Sequence, residues 1–244
     1  MFLRRTFPLV VALMVALLAN SATFAVPTDG KEKDKRNTQV LTPLNLAILI
    51  QDDLISQVGN ELHATRDFIN SLPAGSRVMV GYITSGSLQV RQPFTTDLDK
   101  AARSLRIPIA STAASSFNPY VEVIEALRRF DANWKGKSAV LLVSDGLDTS
   151  RGFDSSAAGN TLDLRRAIDK ANARDISVFA FYAPSVGLTS RSLTAASYGQ
   201  SSLNRLANET GGKAFFQGTT GFVSFDPYFR RLREALNEQY AKAY

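Results

Sequence analysis

The amino-acid sequence predicts an α/β fold: a doubly wound, mostly parallel central sheet with one antiparallel edge strand and helices on both faces. Three observations carry that prediction. Residues 44–50 (LNLAILI) and 138–144 (SAVLLVS) are almost wholly apolar, which suits strands covered on both faces rather than strands with one wet face. Stripes of apolar residues spaced three and four apart alternate with the strand-like runs, the order expected of repeated βαβ units. The short turn Thr84-Ser85-Gly86-Ser87 joins two strand-like runs too closely for a crossover, so that pair is antiparallel.

The elements follow in order. After the first strand at 44–50, Val58, Leu62, Thr65, Ile69 and Leu72 mark one face of a helix, ended by Pro73-Ala74-Gly75. Residues 77–83 read as a second strand and 88–90 as its hairpin partner. Residues 97–105 read as a short helix with an acidic start. Asn118 caps and Pro119 opens a further helix, with Val121, Ile124, Leu127 and Phe130 as its buried face. The apolar strand at 138–144 comes next, then a helix at 162–173 and a strand at 176–182. A helix at 202–210 is stopped by Gly211-Gly212. A last short strand at 213–216 precedes a terminal helix carrying Phe229, Leu232, Leu236 and Tyr240. Nothing in 40–244 marks an internal boundary, so one domain is expected there.

The start of the chain reads as an address. Arg4 and Arg5, an apolar run from Leu9 to Ala19 and the small-residue end Ser21-Ala22-Thr23-Phe24-Ala25 form the three-part pattern of a secretory signal, with cleavage expected after Ala25. The apolar run is short for a membrane span, and an uncleaved N-terminal anchor is the rival reading. Any membrane contact is therefore expected to be transient and confined to this segment, with the rest secreted or periplasmic. Residues 26–39, rich in Lys, Asp and Glu, read as a flexible linker. With 45% hydrophobic and 20% charged residues, the remainder can bury a core without staples. The absence of cysteine excludes disulfides, thiolate nucleophiles and thiolate metal sites. The net charge of +6 is spread without a basic stripe interleaved with aromatics, so no nucleic-acid partner is expected.

In doubly wound sheets, ligands sit beyond the C-terminal strand ends where strand order reverses. Two such ends carry acids here: Gln51-Asp52-Asp53-Leu54-Ile55-Ser56 after the first strand, and Ser144-Asp145-Gly146-Leu147-Asp148 after the 138–144 strand. These motifs, with the late stretch 206–216 (LANETGGKAFF) and the close from Asp226-Pro227-Tyr228 to Glu238-Gln239-Tyr240, resemble the von Willebrand factor type A (VWA) family. The resemblance covers roughly residues 40–244 and is nearest to the exported bacterial VWFA-related branch. It implies a metal-ion-dependent site built from Asp-x-Ser-x-Ser after the first strand, a hydroxyl on a middle loop and an Asp-Gly pair. Carboxylate and hydroxyl oxygens of that kind suit Mg²⁺.

Carried over residue by residue, the candidate metal ligands are Asp52, Asp53, Ser56, Ser115, Ser116 and Asp145, with Thr112 as another source of the middle hydroxyl. Two registers remain open at the first strand end. One puts Gln51 in the lead position, with Asp53 and Ile55 on the serines; the other puts Asp52 there, with Leu54 and Ser56 on the serines. Each loses at least one oxygen, so the expectation is a degenerate site that holds Mg²⁺ weakly or takes no cofactor. A plain turn at Asp145-Gly146 is the competing reading.

No catalytic residue is assigned. His63, the only histidine, falls off its helix stripe and reads as a surface residue, and no serine sits in a nucleophile elbow. Gly136-Lys137-Ser138 enters a strand rather than opening a helix, which excludes a phosphate-binding loop. Asn208-Glu209-Thr210 matches a glycosylation sequon but falls in a predicted helix. Most of Phe215, Phe216, Phe222, Phe225, Tyr228 and Phe229 are expected in the core. The sequence thus points to a non-catalytic, extracytoplasmic interaction or adhesion module. It would bind a protein or surface ligand at the rim formed by residues 51–56, 111–118 and 145–152, with no small-molecule substrate. The alternative is a Mg²⁺-dependent phosphoryl hydrolase on a related sheet, disfavoured because such enzymes use Asp-x-Asp where this chain has adjacent Asp52-Asp53.

Overall fold

The computed structural model describes residues 40–110, 117–152, 161–218 and 223–241. The proposed signal (1–25), the linker (26–39), Thr112, Ser115, Ser116 and Phe222 lie outside them.

Six strands form one sheet: β1 (Leu44–Gln51), β2 (Arg77–Thr84), β3 (Ser87–Thr95), β4 (Lys137–Ser144), β5 (Ile176–Tyr182) and β6 (Ala214–Phe215). Their spatial order is β3-β2-β1-β4-β5-β6. Only the β2–β3 pair is antiparallel; the other neighbours run parallel. β1 is buried along its whole length, which is why its sequence shows no polar alternation. The hairpin partner β3 runs past the predicted 88–90. An edge position tolerates Pro93, and the pairing absorbs register shifts between Val78 and Gly81.

Helices cover both faces. On one lie α1 (Leu62–Asn70), α2 (Leu98–Arg103) and α6 (Asp226–Ala241); on the other lie α3 (Pro119–Leu127), α4 (Leu162–Asn172) and α5 (Leu193–Glu209). Alternate strand residues serve the two layers: Leu46, Ile48 and Ile50 of β1 face the first, and Ala47 and Leu49 the second. Aromatic rings seat α6. Phe181 of β5 packs against Phe215, Phe225, Tyr228 and Phe229 at centroid distances of 5.6, 5.4, 5.2 and 4.9 Å. Such pairs contribute about 0.5–1.5 kcal/mol each beyond burial. Phe216 is the exception to the expected aromatic core, at 38% exposed.

Three expectations need correction. The stripe starting at Val58 is split: residues Ser56–Gly59 form a 3-10 turn, and α1 starts at Leu62. In α3 the buried residues include Tyr120, Val123, Ile124 and Leu127, while Val121 is 40% exposed. The helix predicted at 202–210 begins at Leu193, capped by the Ser192 side chain on the Ala195 N–H. Its first half (LTAASYGQS) is too small and polar to show an apolar stripe, because it packs against backbone. A Cβ on Gly199 would stand 1.9 Å from the Asp145 carbonyl oxygen, and one on Gly146 2.3 Å from that of Gly199. Glycine on both sides is what lets α5 press onto the strand-end loop.

Candidate functional site

The chain leaves β1 toward β2 and leaves β4 toward β5, so strand order reverses between these two neighbours. Their C-terminal ends open the crevice in which sheets of this kind place ligands. Pairing fixes which side chains enter it. Ser144 and Gln51 end β4 and β1, and the Gln51 Oε1 accepts hydrogen bonds from the Ser144 hydroxyl (2.5 Å) and the Asp145 N–H (3.3 Å). The Gln51 Nε2 donates to the Asp53 Oδ1 at 2.7 Å. Gln51 and Asp53 thus share the side of the chain that faces Asp145, and Asp52 points to the other.

Asp52 is fully engaged there. Arg106 donates from Nη1 and Nη2 to its two oxygens at 2.6 and 2.8 Å, and the Ile109 N–H adds a bond of 3.0 Å. The Tyr82 ring lies beneath the guanidinium at 4.0 Å, and the hydrogen bond to Asp52 holds the Arg106 pKa up. Gln51 and Asp53 thus stand on the Asp145 side, where the register led by Gln51 needs them, while Asp52 is turned away to Arg106. Ser56 is exposed on the 3-10 turn.

Asp145 is 3% exposed. Its Oδ1 accepts from the Leu147 N–H at 3.0 Å and its Oδ2 from the Thr189 hydroxyl at 3.3 Å. Burial pushes its carboxyl up, opposed by those hydrogen bonds. Asp53 is pushed to about 7, first by burial and then by the charge of Asp145, with the Gln51 hydrogen bond pulling the other way. Two carboxyls that both resist ionisation therefore interact where β1 and β4 end. The Tyr182 hydroxyl beside them is buried as well, and its pKa is raised by burial and then by Asp145. Among the described residues no group of three or more Asp, Glu or His side chains is arranged to hold a metal ion.

The rim around this centre is rigid on one side. The Tyr82 hydroxyl donates to the Arg106 carbonyl (2.6 Å) and accepts from the Arg106 N–H (2.7 Å), and the Ala110 N–H bonds the Asp52 carbonyl (3.0 Å). Ala110 takes a positive φ of 53°, a conformation that costs a non-glycine residue about 1–2 kcal/mol. The segment so pinned holds Ile107 and Ile109 in solvent at 61% and 68% exposure. On the far side, Asn118 caps α3 and its Nδ2 donates to Asp148 (3.2 Å) and Asp163 (2.9 Å).

Sequence reasoning missed Arg106, Thr189 and Tyr182. Arg106 lies 54 residues from Asp52, a separation no local pattern reveals. Thr189 sits in the Ser/Thr-rich stretch after β5, and its position beyond an apolar strand end was the available signal. His63 is on the surface as expected, paired with Asp67 one turn on. Gly136 precedes β4, and Asn208 lies in the last turn of α5.

No family model matches the chain, and no curated protein matches it. Solved structures do. The conserved hypothetical protein BatB from Bacteroides thetaiotaomicron superposes with a TM-score of 0.52 at 10% identity, covering 81% of this chain and 99% of that one. The SpRpn10 VWA domain gives 0.50 at 11% identity, over 82% and 95% of the two chains. The human COPII-coat protein Sec24c gives 0.51 at 11% identity, over 82% of this chain and 32% of its own. The fold is that of a VWA domain.

Proposed function

We propose that this chain is a non-catalytic, extracytoplasmic interaction module of VWA type, binding a protein or surface ligand across the rim where β1 and β4 end, with a degenerate metal site. The observation that carries the binding role is the pinned segment 106–110. Two isoleucines are held in solvent beside the crevice on a backbone fixed by Asp52 and Tyr82, so an apolar contact forms there with little ordering cost. The extracytoplasmic placement rests on the signal-like start of the sequence. No described helix is long and apolar enough to cross a membrane.

A resident Mg²⁺ does not fit the donor set. The lead carboxylate is replaced by the Gln51 amide, whose oxygen is already taken by Ser144 and Asp145. Ile55 brings no oxygen, and Asp52 belongs to Arg106. In this reading the Gln51 Nε2 takes over the cation's work of holding Asp53. The hydrolase alternative needs Asp-x-Asp after the first strand; here Leu54 stands where the second acid belongs, and Asp52 is paired with Arg106.

The test is retention of envelope protein by the purified chain, wild type against the I107D/I109D double variant, with Mg²⁺ or with a chelator. The expected result is one retained partner, lost in the variant, with no change on removing the ion. Equal retention by wild type and a folded variant contradicts the proposed rim, and retention that requires Mg²⁺ contradicts the degenerate site.

A further inference from the structure

A second cavity opens on the same rim, on the α3 side, with a volume of ≈ 350 Å³. Its walls come from the β2–β3 turn at 85–86, Val121 and Glu122 of α3, the turn at 150–151 and Asp163 at the start of α4. Glu122 is only 5% exposed, and none of the described residues gives it a hydrogen bond or an ion pair. Its neighbour Glu125 is answered by Arg128 at 2.9 Å and Arg129 at 3.1 Å. Buried carboxylates are ordinarily paired, because an ionised group taken out of water loses its hydration without return. Among the described residues, Glu122 is thus an acid without a counter-ion at the wall of an open cavity. Burial, then the charge of Glu125, raises the Glu122 pKa, as expected of an acid that lacks a counter-ion.

We propose that this cavity is a subsite for one basic side chain, arginine or lysine, of a partner polypeptide, with Glu122 as the counter-ion. The inference rests on the interaction-module reading and names the partner chemistry for that same rim. Val121, 40% exposed, offers an apolar wall for the aliphatic stem of such a side chain. Asp163, held by Asn118, supplies a second acid at the wall, shared with Arg166 at 3.4 Å. Arg151 lines the cavity from an exposed turn and repels an incoming cation, so it sets the affinity from the opposite direction.

The probe is the peptide acetyl-Gly-Gly-Arg-Gly-Gly-amide, titrated into the isotope-labelled protein and followed by backbone amide shifts, with the citrulline peptide as the uncharged isostere. The arginine peptide is expected to move the amides of Val121, Glu122, Ser150 and Asp163 saturably, and the citrulline peptide to leave them in place. E122Q is expected to weaken the arginine peptide at least tenfold, and R151A to tighten it several-fold. E122Q removes a buried charge without changing shape, so its melting temperature should not fall. Equal response to the two peptides, unchanged affinity in E122Q, or shifts scattered over the acidic surface overturns the subsite. Failure of the wider reading is separable: peptide binding that depends on Glu122, with envelope partner retention indifferent to I107D/I109D, refutes the Ile107–Ile109 rim and leaves the subsite standing.

Discussion

Replacing Asp53 with asparagine keeps the acceptor for the Gln51 Nε2 and removes a carboxyl raised by burial and by the charge of Asp145. Raising a carboxyl from 3.8 to about 7 makes its ionised form about 4 kcal/mol costlier in the folded chain than in the unfolded one. Part of that rise is the charge of Asp145, and Asp53 is only partly shielded from water, so about 2 kcal/mol is the working figure. The sign follows from the direction of the shift. Below about pH 4 the carboxyl is protonated in both states and costs nothing. As pH rises toward 7 the unfolded chain releases the proton and the folded chain retains it, so the stability contributed by the protonated form is progressively lost. D53N has no proton to lose. It should match wild type near pH 4 and exceed it above pH 7, melting about 4–8 °C higher there for a domain of this size. Thermal unfolding at pH 4, 5 and 8 reads this directly. A variant that melts at or below wild type at pH 8, or a gap that does not change with pH, refutes the reasoning that Asp53 is strained by burial and by Asp145.

Other substitutions probe the supports of the site. Gly199→Ala drives a methyl into the Asp145 carbonyl and should cost about 2–3 kcal/mol, seen as a lower midpoint in urea with an unchanged slope. Arg106→Ala leaves the buried Asp52 carboxylate without its partner and should cost about 3 kcal/mol, with faster amide exchange at Ile109 and Ala110. Unchanged protection at those amides would show that Asp52 does not pin the segment. Combining Gln51→Asp with Ile55→Ser restores the oxygens of Asp-x-Ser-x-Ser apart from Asp53 itself. That double variant should gain about 2.7 kcal/mol at a Mg²⁺ concentration 100 times its dissociation constant, where wild type gains none.

Much of the fold was legible in the sequence because parallel strands buried on both faces write themselves as unbroken apolar runs. Residues 44–50 and 138–144 each lie within one observed strand. The caps were legible too: Asn118 and Pro119 open α3 as expected. What was not legible depended on approach between backbones or on distance along the chain. The first half of α5 carries alanines, serines and Gly199 because it rests on Asp145 and Gly146, so it lacks the stripe that identifies a helix. Val121 sits at a helical interval from Ile124 yet faces solvent, since spacing defines a face but not which neighbour covers it. At the site, the two acid-bearing strand ends were readable, and the structure brings Asp53 and Asp145 together. The choice between Gln51 and Asp52 as the lead residue was not readable, because a one-residue slip inverts the face of every side chain. The structure turns Asp52 toward the Arg106 guanidinium and away from Asp145, a pairing that spans 54 residues.

The most direct measurement is anomalous diffraction at the manganese edge from crystals of the wild-type protein grown with Mn²⁺. If the Gln51 amide has taken the place of the ion, no anomalous peak stands between Asp53 and Asp145 in wild type, and one appears in the Gln51→Asp, Ile55→Ser variant. A manganese peak coordinated by Asp53 and Asp145 in the wild-type crystal contradicts the degenerate site and returns the rim to ion-dependent binding.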